Sequence, residues 1–362
     1  IQMSLPFPLP REDLWAYLAK TQRPIFLYGM GDGADKILNV LLSRGISIQG
    51  IFASDAFVRG HSFRGFPVRR YRDVLEENPN MTALLCFAVD YEPMLSRLNQ
   101  ISRQCDFYAP DVPVVQTDGS VFDLSYVRRH EQELAAAYHL LADEQSRAVF
   151  QAVLQYKLTG KIEYLRGCET LHQEAWTLLD VSQKKHYVDL GAYNGDTVGA
   201  FILETDGHYS RITAVEPDPK NCEKLQKKAR EHKWEKIDIV NAAAWDRQET
   251  LFVKKGKRGR GSALLLEGTL PVAGNALDRI AQDIPVDFIK FDVEGSESRA
   301  IAGAKETILR CHPDMEIAAY HKNEDLFAIP EQVLSICPDY TVFLRHHPYV
   351  PAWETNYYFK VK

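Results

Sequence analysis

The sequence predicts an α/β protein with two Rossmann-like sheets, the larger one seven-stranded and in the C-terminal half. Two observations predict it. Residues 187–196 (YVDLGAYNGD), 212–218 (ITAVEPD), 237–244 (IDIVNAAA) and 288–295 (FIKFDVEG) each open with an apolar, strand-like run and end on Gly, Asp, Glu or Asn, where the chain turns. Ahead of them, residues 24–115 alternate strand-like and helix-like patterns on a smaller scale. At 362 residues the chain is long for one domain. The expected division is a small α/β domain at 1–123, a helical connector at 124–182 and the larger α/β domain at 183–362.

In the first part, residues 24–29 read as a buried strand, followed by a glycine turn and a helix through Leu42. Residues 47–52 and 82–89 read as further strands, 93–103 as a helix and 112–115 as a fourth strand. Gly29, Gly31, Gly33 and Ala34 fit a dinucleotide fingerprint, with Asp55 about twenty residues on. Asp32 inside that loop is unfavourable beside a pyrophosphate, and Lys36 offsets it in part. An NAD(P)-dependent oxidoreductase is therefore one alternative reading, although neither Tyr156 nor Tyr164 has a Lys four residues on. A non-catalytic nucleotide-binding module is another. Residues 60–72 loosely resemble part of the nucleotide-binding N-terminal domains of bacterial sugar-modifying enzymes. Between 124 and 180, Leu134, Tyr138 and Leu141, then Val149, Val153, Tyr156 and Leu158, give the apolar face of two or three helices.

In an open parallel sheet, ligands bind beyond the carboxyl ends of the strands, so the four polar ends would share one crevice. Gly191 and Gly195, with small Ala192 between them, would let the backbone pass close under a ligand, and the next helix presents its N-terminus. Glu216, 25 residues beyond Gly191, can accept bonds from both hydroxyls of a ribose. Asp196 sits where a pyrophosphate would be repelled. S-adenosylmethionine has no phosphate, and its cationic groups favour Asp189 and Asp196, so a methyl donor is the expected cofactor.

The run VDLGAYNGDTV, then AVEPDP, NAAAW, FIKFDVEGSE, AAYHKNEDL and a late FLRHH resembles the FkbM family of S-adenosylmethionine-dependent methyltransferases over about residues 183–360. The resemblance implies a class I methyltransferase fold and O-methylation of a hydroxyl on a sugar, glycan or secondary metabolite. It leaves the N-terminal half uncovered. On this reading Asp189, Gly191, Ala192, Gly195, Asp196 and Thr197 cradle the methionine end of the cofactor. Glu216 and Pro217 take the ribose, while Asp218, Asn241, Ala242 and Ala243 flank the adenine.

Asp292 ends the fourth motif strand, too far upstream of the helix expected at 296–309 to cap it; Ser296 suits that position better. Catalysis is expected of Asp292 and of His321, which follows the apolar run 315–320 at the same sheet edge and could accept the proton of an attacking hydroxyl. Glu294, Arg345, His346 and His347 are candidates for holding the acceptor, and Glu297 reads as an acid complementing a helix start. Asp292, Glu294 and His321 also form an oxygen/nitrogen set that suits Mg²⁺, but nothing in their spacing demands a metal. The basic run 254–260 reads as a solvated hairpin tip, or as a clamp if the substrate carries phosphate.

Composition narrows the remaining classes. An apolar content of 45% with 25% charged residues is ordinary for a globular protein. A net charge of −6 argues against a nucleic-acid partner. No apolar stretch is long enough to span a bilayer, and no secretory leader is read before Arg11. Six scattered cysteines without a C-x-x-C pair fit reduced thiols and a cytoplasmic location. A homo-oligomer is left open.

Overall fold

The computed structural model describes residues 3–58, 60–115, 120–253, 264–265 and 270–362. The larger sheet has seven strands in the order Tyr340–His346, Thr355–Val361, Asp314–Ala318, Phe288–Phe291, His186–Leu190, Arg211–Val215, Ile237–Val240. All neighbours are parallel except Thr355–Val361, which runs antiparallel to both strands beside it. This is the expected seven-stranded sheet. Its central strand, Phe288–Phe291, is buried at every position, as a strand covered on both faces must be.

The smaller sheet has six strands, in the order Ser62–Phe63, Phe66–Arg70, Gly50–Ala53, Ile25–Tyr28, Thr82–Leu85, Asp106–Tyr108. Here the structure departs from expectation in two places. The strand after the Glu92–Ile101 helix is Asp106–Tyr108 and not residues 112–115. The 60–72 segment supplies an antiparallel hairpin, its turn made by Arg64 and Gly65 at positive φ. A third, four-stranded sheet includes Glu249–Val253 and Leu270–Asn275; the basic run 254–260 lies outside the described residues.

The connector contains five helices where two or three were expected: Leu124–Arg129, Glu131–Leu140, Glu144–Thr159, Ile162–Arg166 and His172–Leu178. The longest begins on Asp143, whose carboxylate accepts the Ser146 N–H, and ends on Gly160 in the left-handed region. It packs against both halves. Ser146 Oγ accepts the Leu344 N–H (2.9 Å) from the edge strand of the large sheet, while Tyr156 donates to the Ala109 carbonyl (2.9 Å) just after the small one. One hydrophobic cluster consequently runs without a break from Phe26 and Phe107 through Phe150 and Val153 to Ile289 and Ile317. The single helix expected over 296–309 is two, Glu297–Ala302 and Lys305–Cys311. They part next to Gly303, where a Cβ would lie 1.9 Å from the Trp245 carbonyl oxygen.

A buried charge row crosses the large sheet. Lys290 is in register with Asp189 on one neighbouring strand and Glu316 on the other. Glu316 is fully enclosed and accepts from Trp176 Nε1 (2.7 Å) and Asn356 Nδ2 (3.2 Å), with His172 Nε2 at 2.8 Å. Burial alone would raise its pKa, but His172, Lys290 and Trp176 outweigh burial and bring it down to about 2. A depressed carboxylate contributes stability above its unfolded value of 4.5 that is lost as pH falls toward 2. Urea midpoints measured across that window should fall steeply for the wild type and with a shallower slope for Glu316→Gln.

Candidate active site

The central strand Phe288–Phe291 delivers Asp292 to the sheet edge, beside the turn after His186–Leu190. The two turns touch. Gly191 has φ +87°, and a Cβ there would stand 1.9 Å from the Asp292 carbonyl oxygen. Gly195 (φ +87°) is required for a similar reason, since its Cβ would meet Leu225 at 2.2 Å. These glycines let protein pack on protein, so their lack of a side chain is required by the fold itself. Ala192 likewise is buried in the core, its N–H donating to the Val215 carbonyl.

Asp189 is wholly buried, with Oδ2 accepting from Thr197 Oγ1 (2.5 Å) and Oδ1 without a hydrogen-bond partner. Burial raises its pKa. Glu216, also buried, accepts the N–H groups of Tyr193 (2.8 Å) and Asp218 (2.9 Å), and burial raises its pKa too. The Tyr193 backbone is left-handed (φ 49°), unusual for a bulky residue, and half its side chain faces solvent beside this acid. Pro217 is half-buried at the same turn.

Other expected site residues serve the framework. Asp196 points outward and pairs with Lys228 (2.6 Å), which corrects its placement at a cofactor's cationic end. Asp218 caps the Pro219–Glu231 helix through the Lys220 N–H. Asn241 pins the neighbouring loop by donating to the carbonyls of Glu216 and Pro217, each at 3.0 Å, while Ala242 and Ala243 are buried. Arg345 is enclosed and paired with Asp143 (2.6 Å) on the connector. His346 is sealed between Thr355 and the Tyr349 carbonyl, and His347 between the Thr170 carbonyl and Tyr358. Burial lowers both imidazole pKa values, to about 3 and about 4. The reading of Arg345, His346 and His347 as acceptor ligands is thereby corrected: a strand pattern that ends on charge turned inward against the connector.

Asp292, Glu294 and His321 do converge. His321 Nε2 lies 3.6 Å from both Asp292 Oδ1 and Glu294 Oε2, and Nδ1 lies 3.0 Å from Glu297 Oε1. His321 is 1% exposed, whereas the Asp292 and Glu294 side chains are 28% and 40% exposed and open the cluster to solvent. Glu294 is held at φ 53°. Glu297, read from sequence as a helix-start acid, accepts the Val293 N–H (3.0 Å) and so fixes the turn as well as the imidazole. Burial disfavours charge on His321, but Glu297, Asp292 and Glu294 outweigh it and raise its pKa to about 10.

Sequence reasoning passed over Lys290 and Tyr320. Lys290 Nζ lies 3.3 Å from Asp292 Oδ2, and Tyr320 donates to Asp292 Oδ1 (3.2 Å). With Lys290 beside it, and His321 adding to the effect, Asp292 sits below its ordinary pKa despite burial. The signal for Lys290 was present: a lysine inside the apolar run FIKF cannot be buried unpaired. The N-terminal half also reaches this place, where the Val115 N–H donates to the His321 carbonyl (3.1 Å).

Two of the N-terminal glycines, Gly29 and Gly33, have a packing role. A Cβ on Gly29 would meet the Phe87 ring at 2.6 Å and one on Gly33 the Cys86 carbonyl oxygen at 2.1 Å. Asp32 pairs with Lys36 and Asp35 with Arg64 at this turn.

Residues 189–350 match the family model described as the methyltransferase FkbM domain. The C-terminal half carries an FkbM methyltransferase domain. A crystal structure of methyltransferase FkbM from Methylobacillus flagellatus KT is similar at 23% identity and a TM-score of 0.73, over 98% of this chain and 94% of that one. The shared fold thus includes the N-terminal half, which the sequence resemblance had left out. An rRNA methylase from Streptococcus thermophilus aligns at 15% identity over 52% of this chain and 95% of its own, with a TM-score of 0.36 too low to carry an argument. No curated protein matches the chain. Among the described residues no helix is long and apolar enough to cross a membrane.

The packing role of Gly191 in the FkbM domain is testable against Gly31, which also has positive φ but nothing within 4 Å of a Cβ. Gly31→Ala should cost about 1–3 kcal/mol from backbone strain alone. Gly191→Ala should cost clearly more in the same urea titration, and equal losses would remove the contact with Asp292 from the account.

Proposed function

We propose that this S-adenosylmethionine-dependent methyltransferase is an O-methyltransferase acting on a hydroxyl of a sugar, glycan or secondary metabolite. The observation that carries the reading is the partly open Asp292–Glu294–His321 cluster at the end of the central strand, beside the Gly191 turn of the neighbouring strand and two strands from the one that leads into Glu216. In this reading Glu216 takes the ribose, and the turn from Gly191 to Gly195, with Asp189 and Thr197 beneath it, faces the methionine end. Glu216 already accepts two backbone N–H groups, which orients its remaining lone pairs before a ligand arrives.

Transfer needs the acceptor oxygen in line with the methyl–sulfur bond at near-attack distance, so positioning supplies most of the rate. The hydroxyl proton leaves into the Asp292–His321 pair.

Calorimetry with S-adenosylhomocysteine should give one site per chain, weakened by about 1–3 kcal/mol in Glu216→Ala through lost charge-assisted bonds. Unchanged affinity in a folded Glu216→Ala protein would refute the ribose assignment. His321→Ala should bind the same ligand normally and lose roughly 10²–10⁴-fold in methyl transfer. Near wild-type turnover of that variant would take His321 out of the mechanism.

A further inference from the structure

Asp292, Glu297 and His321 each offer a donor atom, and the three atoms lie within 4.8 Å of one another. Two of these residues are enclosed, and one of them is incompletely satisfied. Glu297 and His321 are each 1% exposed; His321 Nδ1 faces Glu297 Oε1 at 3.0 Å, and Glu297 Oε2 has no hydrogen-bond partner among the described residues. An unmet carboxylate oxygen on an enclosed acid beside a buried imidazole is costly unless something that accepts its lone pairs sits in the cluster. Asp292, at the mouth of the cluster, supplies a third oxygen from a side chain 28% open to solvent.

We propose that this cluster is a binding site for one divalent cation, with Asp292, Glu297 and His321 as its protein ligands. Two carboxylates and one imidazole suit a hard or borderline ion such as Mn²⁺ or Mg²⁺. Octahedral bonds of about 2.1 Å put adjacent donors roughly 3 Å apart and opposite donors roughly 4.2 Å apart, so the cluster closes on an ion by small side-chain movements. The solvent-open side at Asp292 leaves positions for water or for oxygens of an acceptor. Glu297 is prepositioned by the Val293 N–H, which makes the inner wall rigid. The site is defined by the chain's own residues and does not depend on the methyl-transfer reading, so it is measured without cofactor or acceptor.

The test uses the full chain, freed of metal by chelator, titrated with Mn²⁺ and followed by electron paramagnetic resonance. The expected result is one saturable site per chain, with nitrogen coupling from the imidazole in the spin-echo spectrum of the wild type. Asp292→Asn and Glu297→Gln should each weaken binding at least about tenfold, as loss of ligand-shell groups generally does, while Glu133→Gln, on a remote surface, should not. No saturable Mn²⁺ in the wild type, or bound Mn²⁺ without nitrogen coupling, overturns the proposal whether or not either variant folds. Undiminished affinity in folded Asp292→Asn overturns it as well.

Discussion

A single enclosed ammonium holds the functional edge of this protein together. Lys290 is 8% exposed in the middle of the central strand, and the carboxylates of Asp189, Asp292, Glu316 and Glu354 act on it from the surrounding elements. Burial disfavours its charge, yet the four acids outweigh burial and raise its pKa above the ordinary lysine value. The reverse holds equally: Asp189, Glu316 and Asp292 are tolerated on three adjacent strands because a cation is fixed among them. Charges taken out of water are tolerated when paired and become a liability when one partner is removed. The Asp292 side chain meets this row directly through Lys290, while Glu297 holds the turn and the His321 ring beside it.

Much of the fold was legible because strand-forming runs and turn residues report local physics. The seven strands of the large sheet, the positions of Glu216 and Asp292 at strand ends, and the meeting of Asp292, Glu294 and His321 follow from apolar runs that stop on polar residues. What was not legible depended on which face a side chain takes. Arg345, His346 and His347 end a strand as candidate ligands should, but the connector helix covers that edge and turns them into buried framework. The glycines of both halves look alike in sequence; at Gly29, Gly33, Gly191 and Gly195 the decisive neighbour is protein, which no spacing rule reveals. Glu297 looked like a helix-start acid because its second role, beside His321, comes from a residue 24 positions away.

The N-terminal half is more than an appendage to the FkbM domain. Asp111 and Lys157 form an enclosed ion pair (2.8 Å) between the end of the small domain's sheet and the longest connector helix. Just downstream, Lys36 donates to the Val114 carbonyl (2.9 Å), and Val115 reaches the backbone of His321. The helix after the N-terminal glycine turn is thus connected, through a few residues, to the candidate catalytic histidine. A continuous hydrophobic cluster backs this path.

The most direct test of the central charge row is the unfolding free energy of Lys290→Gln, measured by urea titration at neutral pH. Removing the ammonium leaves buried carboxylates uncompensated, and the expected loss is about 3–5 kcal/mol. A loss below about 1 kcal/mol, the scale of an exposed ion pair, would contradict it.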